Sequence, residues 1–226
     1  MTKEFYLASY PRSGNTMTRL LLERHFDIDT REDYKVVLHA DPNRRDTERP
    51  DLENLTAERT NIRGIAYKTH KHDAKNLPAL VLVRDGRDAM VSYAHYSIDV
   101  KNAPTSFNAL LHNRTGHSEW SDFYYWWVGG RSCEAPYVLI TYEQLLRHSA
   151  LGTAPQYLQA AMRKIGFDFE IINTTPLPGF DQYHKAKPTF FRRGIIGGWK
   201  DEMSKEVEEY FWRTNGAAMT FMGYER

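Results

Sequence analysis

The sequence feature that most constrains this chain is a run of small and polar residues at positions 9–16, which reads S-Y-P-R-S-G-N-T. An apolar run at residues 5–8 precedes it, and residues 17–24 follow it with apolar side chains at helical spacing. This pattern predicts a strand, a tight turn and a helix. Gly14 can adopt the positive φ that such a turn needs. The simplest alternative is an ordinary strand–helix corner that binds nothing.

A turn of this kind points several backbone N–H groups at one place, at the positive end of the helix dipole. Arg12 adds a permanent positive charge to the same turn. The combination predicts an anion site, and phosphate is the usual ligand of such a site. Nucleoside triphosphatases use a different loop, G-x-x-x-x-G-K-[ST]. Here Asn15 stands where lysine would follow Gly14, and no glycine lies five residues before it.

Composition limits the class of protein. The chain has 226 residues, of which 41% are hydrophobic and 26% charged, so we expect a globular protein with one domain over residues 1–226. A net charge of +1 predicts no general attraction to nucleic acid. Cys133 is the only cysteine, which excludes an internal disulfide and fits a reducing compartment, so we expect a cytoplasmic protein. No apolar run is long enough to predict a membrane span or a signal peptide.

Four apolar runs, at residues 5–8, 65–67, 80–83 and 137–140, each precede a helical pattern or a polar turn. Such alternation is typical of parallel sheets covered by helices. We therefore predict an α/β fold, with a parallel sheet of about four or five strands flanked by helices and a phosphate-binding strand–loop–helix. The polar residues 27–59 predict a surface excursion with few ordered elements.

The second of these strands ends in Lys68, Thr69 and His70. Ligands of open parallel sheets bind at the carboxyl ends of the strands. Lys68 and His70 are two residues apart, so their side chains point to the same face of an extended strand. The pattern thus indicates a cation and an imidazole at the ligand-binding edge. A solvated basic turn is the alternative that composition alone favours.

Three segments resemble the PAPS-dependent sulfotransferases, which use 3′-phosphoadenosine 5′-phosphosulfate (PAPS). Residues 10–16 match the family's 5′-phosphosulfate loop, Y-P-[KR]-S-G-[TN]-[TS], at every position, although Met17 follows where the family often has tryptophan. Residues 84–92 resemble the 3′-phosphate segment R-[DN]-x-[RK]-D-x-x-x-S. Residues 192–200 resemble R-[KR]-G-x-x-G-x-W-K, with Gly198 where aspartate is common. Three segments in the correct order are far more specific than one loop.

The resemblance implies transfer of a sulfuryl group from PAPS to a hydroxyl or amine of a small-molecule or carbohydrate acceptor, without a metal. It implies that His70 is the general base, that Lys68 contacts the sulfuryl group and that Arg12 neutralises the leaving phosphate. Tyr142 takes the place of a family tyrosine near the adenine. The implied donor-binding residues are Arg12, Ser13, Gly14, Asn15, Thr16, Met17, Arg84, Ser92, Tyr142, Arg192, Arg193 and Gly194.

Several alternatives stay open at this level. A P-loop-type small-molecule kinase or a non-catalytic nucleotide-binding protein is the second hypothesis. An acidic residue from the 27–60 segment could replace His70 as the base. The aromatic cluster at residues 120–127 is either core or an acceptor-binding wall, and the chain is a monomer or a homodimer. Arg19 and Glu23 are expected to face outward, and Arg87 and Asp88 to be surface charges or a local pair rather than ligands.

Overall fold

The computed structural model describes residues 3–32, 62–72, 76–102, 106–111, 119–130 and 134–226. Its framework is a five-stranded sheet with the order β2-β3-β1-β4-β5. The strands are β1 (Lys3–Ser9), β2 (Ile28–Glu32), β3 (Gly64–Thr69), β4 (Ala79–Val83) and β5 (Tyr137–Thr141). β1 pairs in parallel with both β3 and β4, and β3 pairs in parallel with β2. The predicted α/β fold with a parallel sheet is confirmed.

Helices directly follow β1, β4 and β5, and further helices lie between β4 and β5 and after β5. They are α1 (Asn15–Phe26), α2 (Gly86–Asp99), α3 (Phe107–Leu111), α4 (Trp120–Tyr125), α5 (Tyr142–Ala150), α6 (Ala154–Lys164), α7 (Phe180–Ala186) and α8 (Lys205–Phe221). A π-helical turn at Trp126–Gly130 extends α4, and a 3₁₀ turn covers Gly198–Asp201. Within the described ranges, no helix combines the length and apolarity needed to cross a membrane.

The chain divides into two compact units. Unit 1 comprises Met1–Ser9, Gly14–Leu82 and Ser132–Pro178, and unit 2 comprises Tyr10–Ser13, Val83–Arg131 and Gly179–Arg226. A single domain over residues 1–226 stays a prediction.

Unit 1 has a core of aliphatic and phenylalanine side chains from the sheet, α1, α5 and α6. Phe5 and Leu7 of β1 pack with Leu22 and Phe26 of α1 in this cluster, and Leu158 of α6 also belongs to it. All five residues of β4 are buried, as its continuous apolar run predicts. The exposed Tyr137 and Leu139 of β5 agree with its place at the edge of the sheet.

Unit 2 has an aromatic core. Trp120, Phe123, Tyr124 and Trp127 are buried, whereas Tyr125 is exposed on the other side of α4. The rings of Trp120 and Tyr124 lie 4.6 Å apart between centroids. These contacts support the core interpretation of the aromatic cluster for its four buried members.

The expectation that Arg19 and Glu23 face outward is wrong. Arg19 and Glu23 are only 6% and 4% exposed. The reason is Thr30 on β2, whose hydroxyl accepts a hydrogen bond from Arg19 Nε at 2.9 Å and donates one to Glu23. β2 lies inside the predicted excursion at residues 27–59, where the sequence indicated order only at residues 34–38. Those five residues lie outside the described part of the chain.

Arg87 and Asp88 are also buried rather than on the surface. Asp88 accepts backbone hydrogen bonds from Gly197 at 2.7 Å and Trp199 at 2.9 Å. Arg87 donates to Asp85, and its guanidinium carbon lies 4.0 Å from the centre of the Trp199 ring. Both charges therefore organise the turn before Trp199, and burial is tolerated because each has close partners.

His25 gives unit 1 a pH-dependent contact. It is buried at the end of α1, and Nδ1 donates to the Asn173 carbonyl oxygen at 2.6 Å. Burial lowers the pKa of His25 below its ordinary value of 6.5, and the hydrogen bond to Asn173 opposes this only in part. The unfolded chain thus binds a proton more readily, and stability is lost as the pH falls from 6.5 through the folded-state pKa.

We expect the free energy of unfolding to fall between pH 7.5 and pH 5.5, by at most about 1.4 kcal/mol per pH unit from this group. Urea unfolding of the wild type and of His25→Gln at several pH values measures it. His25→Gln should reduce the pH difference. The control His148→Gln, on α5, should keep it. A variant at position 25 with the full wild-type pH difference would contradict the assignment.

Candidate active site

His70 lies beside the last residue of β1. Because β1 and β3 run parallel with Ala8 opposite Thr69, Ser9 and His70 are the next residues on each strand. His70 Nδ1 is 2.6 Å from the Ser9 carbonyl oxygen and 3.4 Å from Ser9 Oγ. A carbonyl oxygen can only accept, so Nδ1 carries the hydrogen. In the neutral ring, Nε2 is therefore the nitrogen with the lone pair, the one that can accept a proton.

The hydroxyl of Ser9 connects this histidine to the first residue of α1. Asn15 Nδ2 donates to Ser9 Oγ at 3.1 Å and is 3.4 Å from the Leu7 carbonyl oxygen. Ser9 and Asn15 are both buried. The strand end, His70 and the start of α1 thus form one hydrogen-bonded network in unit 1, which fixes the ring orientation of His70. Lys68 lies two residues before His70 on β3, opposite Leu7, and is half-buried.

Gly14 is the N-cap of α1 and has a φ of 94°. A Cβ at this position would lie 2.5 Å from a ring carbon of Tyr142, so only glycine fits. Tyr142, the first residue of α5, is buried against Gly14. This contact gives the ring a packing role, and its predicted adenine contact stays a prediction. Thr16 and Met17, in the first turn of α1, are half-exposed.

In unit 2, the structure brings together Arg12, Ser92 and Arg84. Arg12 has a φ of 65°, which is unusual for a residue with a side chain. Its Nε donates to Ser92 Oγ at 3.2 Å, and Arg84 Nη1 donates to the Arg12 carbonyl oxygen at 2.9 Å. Arg84 is buried, and its Nη2 also donates to the Ile195 carbonyl oxygen at 3.2 Å. Arg84 thereby connects Arg12, in the predicted phosphate loop (residues 10–16), to the third matched segment (residues 192–200).

The Arg12 guanidinium also contacts two aromatic rings. Its carbon lies 4.9 Å from the ring centre of Tyr96 and 4.7 Å from that of Phe190. Arg12 Nη2 donates to the Phe190 carbonyl oxygen at 2.6 Å. Ser13 is buried, with Oγ 3.4 Å from the Tyr124 hydroxyl. The side chains of the loop in unit 2 are therefore held by hydrogen bonds and ring contacts.

Arg192 and Arg193 form salt bridges with carboxylates. Arg192 is bidentate to Glu202, at 3.0 and 2.8 Å, and Arg193 contacts Glu202 at 3.1 Å and Asp201 at 2.9 Å. His95 Nε2 lies 2.5 Å from the same Glu202. Burial alone would raise the pKa of Glu202, but hydrogen bonds from Arg192 and His95 outweigh it, so the pKa lies below its ordinary value. Glu202 is thus an ionised carboxylate held by three side chains.

Gly194 follows these arginines with a φ of 61°, and the Phe180 ring covers it so closely that a Cβ would lie 2.4 Å from the ring. Among the described residues, no group of three or more His, Cys, Asp or Glu side chains is placed to hold a metal ion.

Sequence reasoning missed five residues around these sites. They are Ser9, Tyr96, Phe190, His95 and Glu202. The signal for Ser9 was available, since it ends the strand that neighbours the Lys-Thr-His strand. Glu202 and His95 carry no such signal, because they meet only through tertiary packing.

A family model described as a sulfotransferase domain matches residues 2–150. The chain belongs to the sulfotransferase domain family. The predicted sulfotransferase family is thereby confirmed, and the first two of the three sequence segments lie within the matched residues. Mouse Sulfotransferase 1B1 is 24% identical over 152 residues, which are 58% of this sulfotransferase chain and 50% of the mouse protein. The chain thus spans half the length of that curated relative.

Solved structures share the fold. The chain superposes on mouse sulfotransferase SULT7A1 complexed with PAP with a TM-score of 0.64, at 18% identity, over 96% of this chain and 84% of that one. A retinol dehydratase in complex with androsterone and inactive cofactor PAP gives 0.60, at 15% identity, over 99% and 82%. A sulfotransferase from Alicyclobacillus acidocaldarius gives 0.55, at 12% identity, over 100% and 98%. At these identities the likeness establishes the fold alone.

The contact between Gly14 and Tyr142 predicts a difference between two glycines with the same φ. Gly166 has a φ of 91°, and a Cβ there would meet no atom within 4 Å. We expect Gly166→Ala to cost about 1 kcal/mol of stability through backbone strain alone. Gly14→Ala should cost about 1–3 kcal/mol more, because the methyl group collides with the buried Tyr142 ring.

Urea unfolding of both variants and the wild type measures the two losses. Equal losses for Gly14→Ala and Gly166→Ala would mean that the Tyr142 ring does not constrain the phosphate loop.

Proposed function

We propose that this chain transfers a sulfuryl group from PAPS to a hydroxyl or amine of a small-molecule or carbohydrate acceptor, releasing 3′-phosphoadenosine 5′-phosphate (PAP). One observation carries the proposal. His70 lies at the end of the strand next to the phosphate loop, and its Nδ1–H is tied to the Ser9 carbonyl. Family membership supports the reaction class, and two of the solved relatives are described with PAP.

The donor's phosphosulfate is proposed to bind at the phosphate loop. Gly14, Asn15 and Thr16 form the N-terminus of α1, where unpaired backbone N–H groups and the helix dipole favour an anion. Arg12 supplies the full positive charge of the loop. As the bond between sulfur and the bridging oxygen breaks, negative charge grows on the leaving phosphate, so these fixed donors stabilise the transition state more than the ground state.

His70 is proposed to accept the acceptor's proton at Nε2. The acceptor oxygen or nitrogen forms its bond to sulfur while the bond from sulfur to the phosphate oxygen breaks, and the proton moves to His70. The Nδ1–H bond to the Ser9 carbonyl stabilises the imidazolium that forms. Lys68, on the same strand as His70, is proposed to neutralise the sulfuryl oxygens. No step calls for a metal ion, because Arg12 and Lys68 supply the positive charge.

The donor's 3′-phosphate is proposed to bind in unit 2. Arg84, Ser92 and the backbone at Gly194 belong to this set together with Arg192 and Arg193. Arg84 and Ser92 already lie in one hydrogen-bonded group with Arg12. The proposal therefore uses the same buried arginine for the shape of the loop and for the charge of the site. The acceptor class, the cytoplasmic location and the monomeric or homodimeric state stay predictions.

Donor recognition is tested by nucleotide binding. We expect the wild type to bind PAP more tightly than adenosine 5′-monophosphate (AMP), which lacks the 3′-phosphate. Arg84→Ala should weaken PAP binding by roughly 10- to 150-fold, since a charge-assisted contact contributes about 1.5–3 kcal/mol. AMP affinity should change less. Isothermal titration calorimetry measures each affinity.

The control is Arg213→Ala, at an exposed arginine of α8 in the same unit, which should bind both nucleotides as the wild type does. Thermal unfolding verifies that each variant is folded. If the wild type binds PAP and AMP equally, the 3′-phosphate assignment is wrong.

The base is tested by His70→Gln. We expect turnover with PAPS to fall by roughly 10²- to 10⁴-fold while PAP affinity changes little, because only proton transfer is lost. His72→Gln, two residues further along the chain, is the matched control and should retain most of the activity. Mass spectrometry of a metabolite extract incubated with PAPS detects products that have gained one sulfuryl group. Near-normal turnover of His70→Gln would place the base elsewhere, with residues 27–60 as the next source.

A metal chelator separates this proposal from the kinase alternative. The chelator should leave sulfuryl transfer unchanged, whereas it would abolish the activity of a magnesium-dependent kinase.

A further inference from the structure

One carboxylate in unit 2, Glu202, holds both arginines of the third matched segment. Its Oε1 accepts from Arg192 Nη2 at 2.8 Å and from Arg193 Nη1 at 3.1 Å. Its Oε2 accepts from Arg192 Nη1 at 3.0 Å and lies 2.5 Å from His95 Nε2. Both carboxylate oxygens are therefore used by these three side chains.

The contacts of Glu202 are those that a phosphate group would make. A guanidinium recognises carboxylate and phosphate with the same planar pair of N–H donors. In Arg192, both terminal nitrogens are engaged by one carboxylate. A 3′-phosphate that binds Arg192 through this pair must first replace Glu202.

The charges of the cluster lead to the same conclusion. Arg192 and Arg193 contribute two positive charges, and Glu202 and Asp201 contribute two negative ones at distances of 2.8–3.1 Å. Arg84 also lies near a carboxylate, with Nη2 4.0 Å from Asp88. A phosphate dianion that approaches while Glu202 keeps its place is therefore attracted by the arginines and repelled by the carboxylates in nearly equal measure.

The side chains are accessible to such an exchange. The Arg192 and Arg193 side chains are 25% and 35% exposed, and that of Glu202 is 17% exposed. Glu202 lies between the 3₁₀ turn Gly198–Asp201 and α8, and a change of its side-chain rotamer needs no change in the backbone.

We propose that Glu202 is an internal competitor of the donor's 3′-phosphate for Arg192 and Arg193, and thereby sets the affinity for 3′-phosphorylated nucleotides. The inference rests on the proposed function, since it needs a donor with a 3′-phosphate. It is independent of the acceptor and of the role of His70. Removing the negative charge at position 202 must then strengthen nucleotide binding, which is the opposite of what loss of a positioning residue does.

The experiment compares Glu202→Gln with the wild type by isothermal titration calorimetry with PAP and AMP. We expect Glu202→Gln to bind PAP about 5- to 50-fold more tightly, because a neutral amide competes less well than a carboxylate for the arginines. AMP affinity should stay within about twofold, since AMP has no group for these arginines. Asp201→Asn is the matched control. Its side chain is 66% exposed and accepts a hydrogen bond from Arg193 at 2.9 Å, whereas Glu202 is held by three side chains, so the gain should be smaller.

The possible results separate the two hypotheses. If the wild type prefers PAP over AMP and Glu202→Gln binds PAP equally or more weakly, the inference is overturned and the proposed donor stands. If the wild type and Glu202→Gln both bind PAP no better than AMP, the 3′-phosphate role of the arginines falls, and the inference with it. Should Glu202→Gln fail to fold in thermal unfolding, Glu202→Asp replaces it. Its shorter carboxylate should give a smaller gain in PAP affinity, and a loss would overturn the inference.

Discussion

The parallel pairing of β1 with two neighbours determines where the chemistry of this protein can lie. β1 is the central strand, and residues Phe5 to Ser9 are buried. Parallel neighbours must return by crossover connections, so the carboxyl ends of the strands lie at one edge, where no tight hairpin covers them. The phosphate loop leaves β1 at that edge and His70 leaves β3 there. The hydrogen bond from His70 to the Ser9 carbonyl follows directly from this register.

Local sequence patterns predicted the strands with continuous apolar runs, because such runs have no other stable place than a buried sheet. These patterns did not predict β2, because its sequence I-D-T-R-E has only one large apolar residue, Ile28. The burial of Arg19 and Glu23 was not predicted either. Their burial depends on Thr30, which lies on β2 and comes close only through tertiary structure. Helical periodicity by itself places charged residues outside, and it has no information about such a partner.

The candidate site shows the same division. The strand, turn and helix around residues 9–16 were predictable because these residues are contiguous and their backbone conformation, with Gly14 at φ 94°, follows from local chemistry. The family resemblance supplied the identity of Arg84, Arg192 and Arg193, but no motif contains the two carboxylates that hold Arg192 and Arg193. Glu202 lies nine residues beyond Arg193, and His95 lies on another helix. Only the folded structure reveals that Glu202 meets both Arg192 and His95, so sequence reasoning assigned the cations and missed the carboxylate that balances them.

The same balance holds for other arginines of this chain, whose net charge is +1. Arg12 and Arg84 donate to backbone carbonyl oxygens, Arg87 to Asp85, and Arg192 to Glu202. A buried guanidinium with such partners avoids most of its desolvation cost. The same partners also limit the affinity for a bound anion. The net gain in free energy is that of the anion's own contacts minus that of the contacts it displaces. Displacing a carbonyl oxygen from an arginine costs little free energy, whereas displacing a bidentate carboxylate costs more. We therefore expect the selectivity between anions to be greatest where Glu202 lies.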